Sequence, residues 1–122
     1  MDGEGANGLE SVATEDYADA TDAMGTVIIG MGAPWCGPWR AFLPVFSEVA
    51  ATLADDAVTF MTCDVEANAA IPLLEGVTRI PTVIVYHDGR RIGKHVGVMT
   101  AGELTIVVSA ARSGAVSVAE TG

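Results

Sequence analysis

The sequence predicts an α/β domain with a mixed central β-sheet flanked by helices on both faces. Short, almost wholly apolar runs, which are typical of buried strands, alternate with segments whose apolar residues recur at helical spacing. An Asp88-Gly89 pair between two strand-like runs indicates an antiparallel hairpin. The chain has 122 residues, half of them apolar, which suffices for one buried core.

The first half of the domain is predicted as helix, strand and helix. Thr14, followed by two acidic residues, is typical of an N-cap and begins a helix to about Ala23. Residues 26–29 form an apolar run that indicates a buried strand. A helix of roughly four turns begins just after Cys36, and Pro44 lies inside its apolar pattern, where we expect a kink.

The second half adds three strands and two helices. Apolar or alternating runs predict the strands at residues 57–62, 82–86 and 90–96. Residues 66–75 indicate a helix that Pro72 keeps short or irregular. Thr100 is the expected cap of a last helix that ends at about Arg112. The order of elements implies a mixed sheet covered on both faces.

Composition sets the domain boundaries. Residues 1–9 are rich in glycine and acid, and residues 113–122 are small and polar, so we expect flexible tails around a domain at residues 10–112. Residues 3–8 match a Gly-x-Gly-x-x-Gly dinucleotide-binding pattern. No strand precedes this pattern and no apolar helix follows directly, so we expect no such role for it.

The chain is strongly acidic, with 16 acidic and 6 basic side chains and a formal charge of −10. This charge repels phosphate backbones and anionic lipid headgroups, so neither nucleic acid nor membrane is an expected partner. No segment approaches the roughly 20 apolar residues of a membrane span, and the amino terminus has no signal-peptide pattern. A cytoplasmic location is therefore the expectation.

Residues 33–38, Ala-Pro-Trp-Cys-Gly-Pro, carry a specific motif. From Trp35 to Pro38 they match residue for residue the active-site loop of the thioredoxin family, which the chain resembles from about Thr14 to about Ala111. Further agreement with the spacing of the family is found at Pro44, Ile80-Pro81-Thr82, Gly89 and Gly97. The resemblance implies a thioredoxin fold and an oxidoreductase role in cell redox homeostasis.

The candidate nucleophile is Cys36, which stands directly before a helix. Backbone NH groups and the helix dipole there stabilise a thiolate, so its pKa is expected below the roughly 8.5 of a free cysteine. Trp35 resembles the aromatic side chain that the family places beside the thiol. Gly37 permits close approach of a substrate, and Pro38 stiffens the first helical turn. An inert structural cysteine is the alternative interpretation of Cys36.

The resemblance also implies a substrate-binding edge. It places the Ile80–Pro81 peptide bond beside the thiol in the cis conformation, where an extended peptide can add as a short strand. Gly97 is expected to complete this surface. The alternative is a trans Pro81 that merely begins an edge strand.

Three positions depart from the family, and the departures are coherent. Trp39 stands where thioredoxins carry the second cysteine that resolves the mixed disulfide. Gly30 replaces the buried acid of the central strand, and Thr62 replaces the lysine that accompanies it. These coupled losses favour natural divergence over a single accidental change, and they exclude ordinary dithiol turnover at this site.

The remaining cysteine and the histidines offer no replacement for the lost chemistry. If Thr62 points beneath the active site, Cys63 points to the other face of its strand, which indicates a small buried hydrophobe. Neither cysteine has metal-ligand spacing to other ligands, so no metal or other cofactor is expected. His87 and His95 lie near the hairpin and are expected to be solvated.

Two functions compete. The first is a monothiol oxidoreductase in which Cys36 attacks protein or low-molecular-weight mixed disulfides and an external thiol resolves the adduct. The second is a catalytically impaired binding module that captures extended segments between Trp35 and Ile80-Pro81, with Trp39 enlarging the apolar patch. An iron-sulfur carrier like the monothiol glutaredoxins is a weaker third alternative. Those proteins bind a small thiol beside the cluster, and the sequence contains nothing that resembles their small-thiol binding residues. We expect the chain to be a monomer.

Overall fold

A computed structural model describes residues 9–115, in which five strands form one sheet and four helices cover it. The strands are β1 (Glu10–Ser11), β2 (Thr26–Gly32), β3 (Val58–Asp64), β4 (Thr82–His87) and β5 (Arg90–Val96). The helices are α1 (Thr14–Thr21), α2 (Gly37–Leu53), α3 (Ala70–Glu75) and α4 (Ala101–Arg112). The strand order is β1-β3-β2-β4-β5. The pairs β1–β3 and β3–β2 are parallel, and β2–β4 and β4–β5 are antiparallel, which confirms the predicted mixed sheet.

The sheet divides the core into two layers. Under α2 and α4, Ile28 of β2 packs with Phe60 and Val83 from the neighbouring strands. On the opposite face, under α1 and α3, Ile29 packs with Cys63 and other apolar side chains. Successive residues of β2 point alternately into the two layers, and all seven are buried. Helices on both faces, as predicted from the element order, therefore enclose the central strand completely.

The amino-terminal region differs from the prediction. Glu10 and Ser11 form the short strand β1, which pairs with β3 and which the polar sequence did not indicate, and Leu9 is buried in the core. Ala13 rather than Thr14 is the N-cap of α1. Thr14 instead donates hydrogen bonds from its backbone N–H and its hydroxyl to Asn68 Oδ1. Residues 1–8, with their glycine pattern, and residues 116–122 lie outside the described residues.

The third helix is shorter than predicted. The Asp64 carboxylate accepts hydrogen bonds from the backbone N–H groups of Glu66 and Ala67, which holds this segment as a turn. Pro72 has no N–H to donate, so it fits best in the first turn of a helix, where that N–H would have no helical partner. The helix accordingly begins at Ala70, two residues before the proline, rather than at Glu66.

The carboxy-terminal elements follow their predicted signals. Asp88 and Gly89 both adopt positive φ, 51° and 83°, which the hairpin turn requires. The Thr100 hydroxyl accepts a hydrogen bond from the Glu103 N–H, and the Glu103 carboxylate accepts one from the Thr100 N–H. This capping box confirms the predicted start of α4.

A buried polar cluster, not anticipated from the sequence, fastens α3 to its surroundings. The Glu75 carboxylate is buried and accepts hydrogen bonds from the hydroxyls of Tyr17 and Tyr86. Arg91 donates to the same carboxylate at 2.9 Å and to the Glu75 carbonyl oxygen at 2.8 Å. Burial, together with the hydrogen bond to Glu75, raises the pKa of both tyrosines. The cluster thus ties together α1, α3, β4 and β5.

Candidate active site

Cys36 is the N-cap residue of α2, as its position in the sequence predicts. Its carbonyl oxygen accepts the first helical hydrogen bond, from the Arg40 N–H at 3.0 Å. The residue is only 6% exposed. Gly37 follows at the first helical position, where a Cβ would have no atom within 4 Å, and Pro38 lies exposed in the first turn. The thiol is therefore almost covered, and the exposed residues Gly37 and Pro38 leave open space next to it along the chain.

The peptide bond between Ile80 and Pro81 is cis and lies beside the thiol. The Cys36 Sγ is 4.0 Å from the Ile80 carbonyl oxygen, within reach of a weak S–H···O hydrogen bond. Gly97, with φ of 101°, donates its backbone N–H to the Pro81 carbonyl oxygen at 2.8 Å. The structure thus brings together, from three separate places in the chain, four residues that the sequence singled out: Cys36, Ile80, Pro81 and Gly97.

A cleft adjoins this edge. Its volume is about 290 Å³, and Trp35 and Ile80 line it together with Val65, Pro72 and Val77. The Trp35 side chain is 63% exposed, which is high for a residue of its size. An apolar ring held in solvent beside a cysteine offers a contact surface for a segment of another molecule.

Trp39 does not contribute to that exposed surface. It is 7% exposed and packs in the core under α2, with its ring 6.2 Å from that of Phe42 and 6.4 Å from that of Phe46. The expectation that Trp39 enlarges an apolar patch together with Trp35 is therefore wrong. The physical reason lies in the strand beneath it.

Two glycines on β2 make room for the indole. A Cβ added to Gly32 would lie 2.0 Å from the Trp39 Cδ2 atom, and one added to Gly30 would lie 3.1 Å from Cη2. Both glycines face the same layer because they alternate along the strand. The family resemblance marks Gly30 only as the position of a missing acid, and it gives no role to Gly32. Two glycines at alternate positions of an otherwise apolar buried strand were the available signal.

Thr62, which replaces the lysine of the family, and Cys63 lie on opposite faces of β3. Thr62 pairs with Gly30 and lines a cavity of about 170 Å³ with Gly32 and Trp39. Cys63 is fully buried in the other core layer, and burial, reinforced by the neighbouring Asp64, raises the pKa of its thiol to about 11. Both cysteines are free thiols. Cys63 therefore has the packing of a buried apolar residue.

The histidines are placed differently from each other. His87 is partly exposed and hydrogen-bonds to the Thr26 hydroxyl at 3.0 Å. His95 is buried, so its predicted solvation is wrong, because its register partner Val83 lies in the core under α2 and α4. Within residues 9–115 no three potential ligands form a metal-binding group. In the same range no helix has the length and apolar content to cross a bilayer.

Known proteins match both the sequence and this geometry. The Thioredoxin family model matches residues 9–110. Thioredoxin from Chlamydia muridarum (strain MoPn / Nigg) is 32% identical over 101 residues, which cover 83% of this chain and 96% of that protein. Thioredoxin from Mycolicibacterium smegmatis is 36% identical over 91 residues, 71% of this chain and 81% of the relative. The structure of Malassezia sympodialis thioredoxin superposes with a TM-score of 0.77 at 26% identity, covering 87% of this chain and 91% of that one. The chain, with its thioredoxin fold, therefore belongs to the thioredoxin family.

Proposed function

We propose that the chain is a thiol–disulfide oxidoreductase that works with one sulfur atom. The Cys36 thiolate attacks a mixed disulfide on a protein or a small molecule, the substrate sulfur leaves as a thiolate, and a new disulfide forms on Cys36. An external thiol then resolves this adduct. The observation that carries the proposal is the packed indole of Trp39 at the position of the resolving thiol, beside a retained Cys36 and cis Pro81.

No internal thiol is placed to replace the external one. Cys63 is the only other cysteine of the chain, and it lies in the opposite core layer with a raised thiol pKa. A thiol attacks as its thiolate, so a pKa of about 11 leaves little nucleophile near neutral pH. A small thiol from solution is neither buried in the opposite core layer nor held at a raised pKa.

Substrate recognition is proposed for the edge beside Cys36. An extended segment would add as a short strand along the Ile80 and Pro81 backbone, which the hydrogen bond from the Gly97 N–H to the Pro81 carbonyl oxygen holds in place. Trp35 supplies apolar contact, and the open surface over Gly37 and Pro38 lets the substrate sulfur approach. We propose action as a monomer in the cytoplasm, a compartment that keeps such thiols reduced.

The test is uptake of a small thiol by the intact protein. The protein is incubated with a peptide whose cysteine is disulfide-linked to free cysteine, and adducts are located by mass spectrometry of protease fragments. We expect the adduct on Cys36 in the natural protein and in Cys63→Ser, and loss of peptide reduction in Cys36→Ser. Equal turnover by natural protein and Cys36→Ser would refute the proposal.

The binding module remains the second candidate because Trp35 is so exposed and borders a cleft of suitable size. It predicts that extended peptides without cysteine bind, and that Cys36→Ser binds them with unchanged affinity. Fluorescence titration of Trp35 measures this binding, with Trp35→Ala as the control. Binding without any exchange at Cys36 would make the module the better account.

A further inference from the structure

We infer that an incoming thiol reaches only the outer sulfur of an adduct on Cys36, so that the chain removes small thiols from proteins that carry them as mixed disulfides. This inference rests on the proposed function and names the substrate class of the same site. It follows from the sides on which other atoms cover the Cys36 sulfur and the side from which solvent reaches it.

Thiol–disulfide exchange has a directional requirement. The attacking sulfur approaches along the axis of the bond that breaks, from the side opposite the leaving sulfur, and the outcome depends on which sulfur is attacked. Because Cys36 is only 6% exposed, the outer sulfur of an adduct has to extend through the small opening that this exposure leaves towards solvent. Attack on the Cys36 Sγ itself would therefore have to come from the protein interior.

That interior side is filled. Trp39 follows Cys36 by three residues on the first turn of α2, which places both side chains on one face of the turn, and both belong to one core cluster. The indole cannot retreat towards β2, since it already lies against the backbone of Gly30 and Gly32. On the remaining side, the Ile80 carbonyl oxygen is 4.0 Å from the sulfur.

The reaction that this geometry permits is balanced in two steps. In the first, the Cys36 thiolate attacks the small-thiol sulfur of a protein mixed disulfide, and the protein sulfur leaves with the electron pair as a thiolate. In the second, an external thiolate attacks the outer sulfur, and the electron pair of the broken bond returns to Cys36. The protein thiol is reduced, and the two small thiols leave joined as a disulfide.

A disulfide within a protein gives a different first product. When Cys36 attacks such a disulfide, the substrate protein becomes the outer group of the adduct. The external thiol then forms a disulfide with the substrate sulfur, and Cys36 leaves as a thiolate. The protein is then still a mixed disulfide with the small thiol, and only a second passage over Cys36 reduces it. Proteins that already carry a small thiol are therefore the direct substrates.

An isotope experiment identifies the sulfur that is attacked. Cys36 of the full chain is first loaded with ordinary cysteine, and excess heavy-isotope cysteine is added and quenched with acid within the first turnover. Attack on the outer sulfur gives free protein and a cystine with one heavy half. Attack on Cys36 gives protein that carries heavy cysteine. Because the loaded and the incoming thiol are chemically identical, the two routes differ only in the sulfur that is attacked and in the thiolate that leaves, that of Cys36 or that of cysteine.

We expect at least tenfold more heavy label in the mixed cystine than on the protein. Comparable amounts in the two products would overturn the inference while leaving the proposed function intact. Failure to load Cys36 at all would instead refute the proposed function and the inference with it.

Variants test whether Trp39 is the cause. Trp39→Ala opens the interior side, so heavy label on the protein should rise at least fivefold. Phe60→Ala is the matched control: it removes a buried aromatic ring of the same core cluster whose ring contact is with Phe46. It should leave the ratio of products unchanged, and an equal rise in both variants would assign the effect to general loosening. Trp39→Phe, a milder change, should give an intermediate ratio.

Discussion

The contact between Gly32 and Trp39 makes a sharp prediction for Gly32→Ala. The added methyl group would lie 2.0 Å from the indole Cδ2 atom and 2.2 Å from Cγ, whereas ordinary contact begins at 3.4 Å. The shortfall is about 1.4 Å. The rings of Phe42 and Phe46 pack beside the indole and restrict its movement. One methyl group should therefore disrupt the core at this point.

The size of the effect is bounded on both sides. Overpacking of a dense core costs about 1–3 kcal/mol, occasionally more. Expulsion of the Trp39 ring from the core, the largest relaxation open to the chain, costs about 3–5 kcal/mol. We expect Gly32→Ala to lower the free energy of unfolding by about 3 kcal/mol. Gly30→Ala, with its nearest contacts at 3.1–3.2 Å, should cost about 1 kcal/mol.

A double-mutant cycle isolates the cause. In a Trp39→Ala background the obstructing ring is gone, and Gly32→Ala should be neutral or stabilising by up to about 1 kcal/mol, because alanine restricts the unfolded chain more than glycine. Urea unfolding followed by far-UV circular dichroism gives all four free energies and does not depend on tryptophan fluorescence. Equal costs of Gly32→Ala in both backgrounds would refute the packing argument.

Three further outcomes are expected. Trp39→Cys should form an internal disulfide with Cys36 under oxidising conditions, yet lose about 3–5 kcal/mol of stability in urea because the indole volume is left empty; two free thiols after oxidation would contradict the geometry of the loop. The pKa of the Cys63 thiol is about 11 in the folded chain and about 8.5 in the unfolded chain, so between these pH values only the unfolded chain loses the thiol proton. The free energy of unfolding should therefore fall by up to about 1.4 kcal/mol per pH unit in this range. Cys63→Ala should show a shallower fall in alkaline urea titrations, and identical slopes would argue against the buried thiol. Thr100→Ala should cost about 1 kcal/mol through loss of the capping box, measured by thermal unfolding, while an unchanged Tm would argue against it.

The sequence predicted the elements whose signals are local. The Asp88-Gly89 turn and the Thr100 cap are fixed by neighbouring residues, so they could be identified from a few positions. The strand β1 could not, because Glu10 and Ser11 pair with β3 through backbone groups and carry no apolar pattern. The end of β2 was also missed, since glycine at positions 30 and 32 interrupts the apolar run that predicts a strand.

The site was predictable as a set of residues but not as a packing arrangement. Cys36 and Pro81 were assigned from a motif and its spacing, and the structure places them together. Trp39 is buried because Gly32 leaves space for its indole. This is a contact between α2 and β2, so neither segment predicts it alone. The burial of His95 similarly depends on what packs over its strand.

The Glu75 cluster has a consequence for recognition at the cleft. Arg91 donates hydrogen bonds to Glu75, and Lys94 donates one to the Gly76 carbonyl oxygen. These bonds anchor the end of α3 to β5. The segment that continues to Val77 and forms one wall of the cleft starts from this anchor. A wall held in place before a partner arrives loses little conformational entropy on binding, so more of the contact energy appears as affinity. Selectivity at this cleft then comes from the fit of the partner to a fixed shape rather than from rearrangement around it.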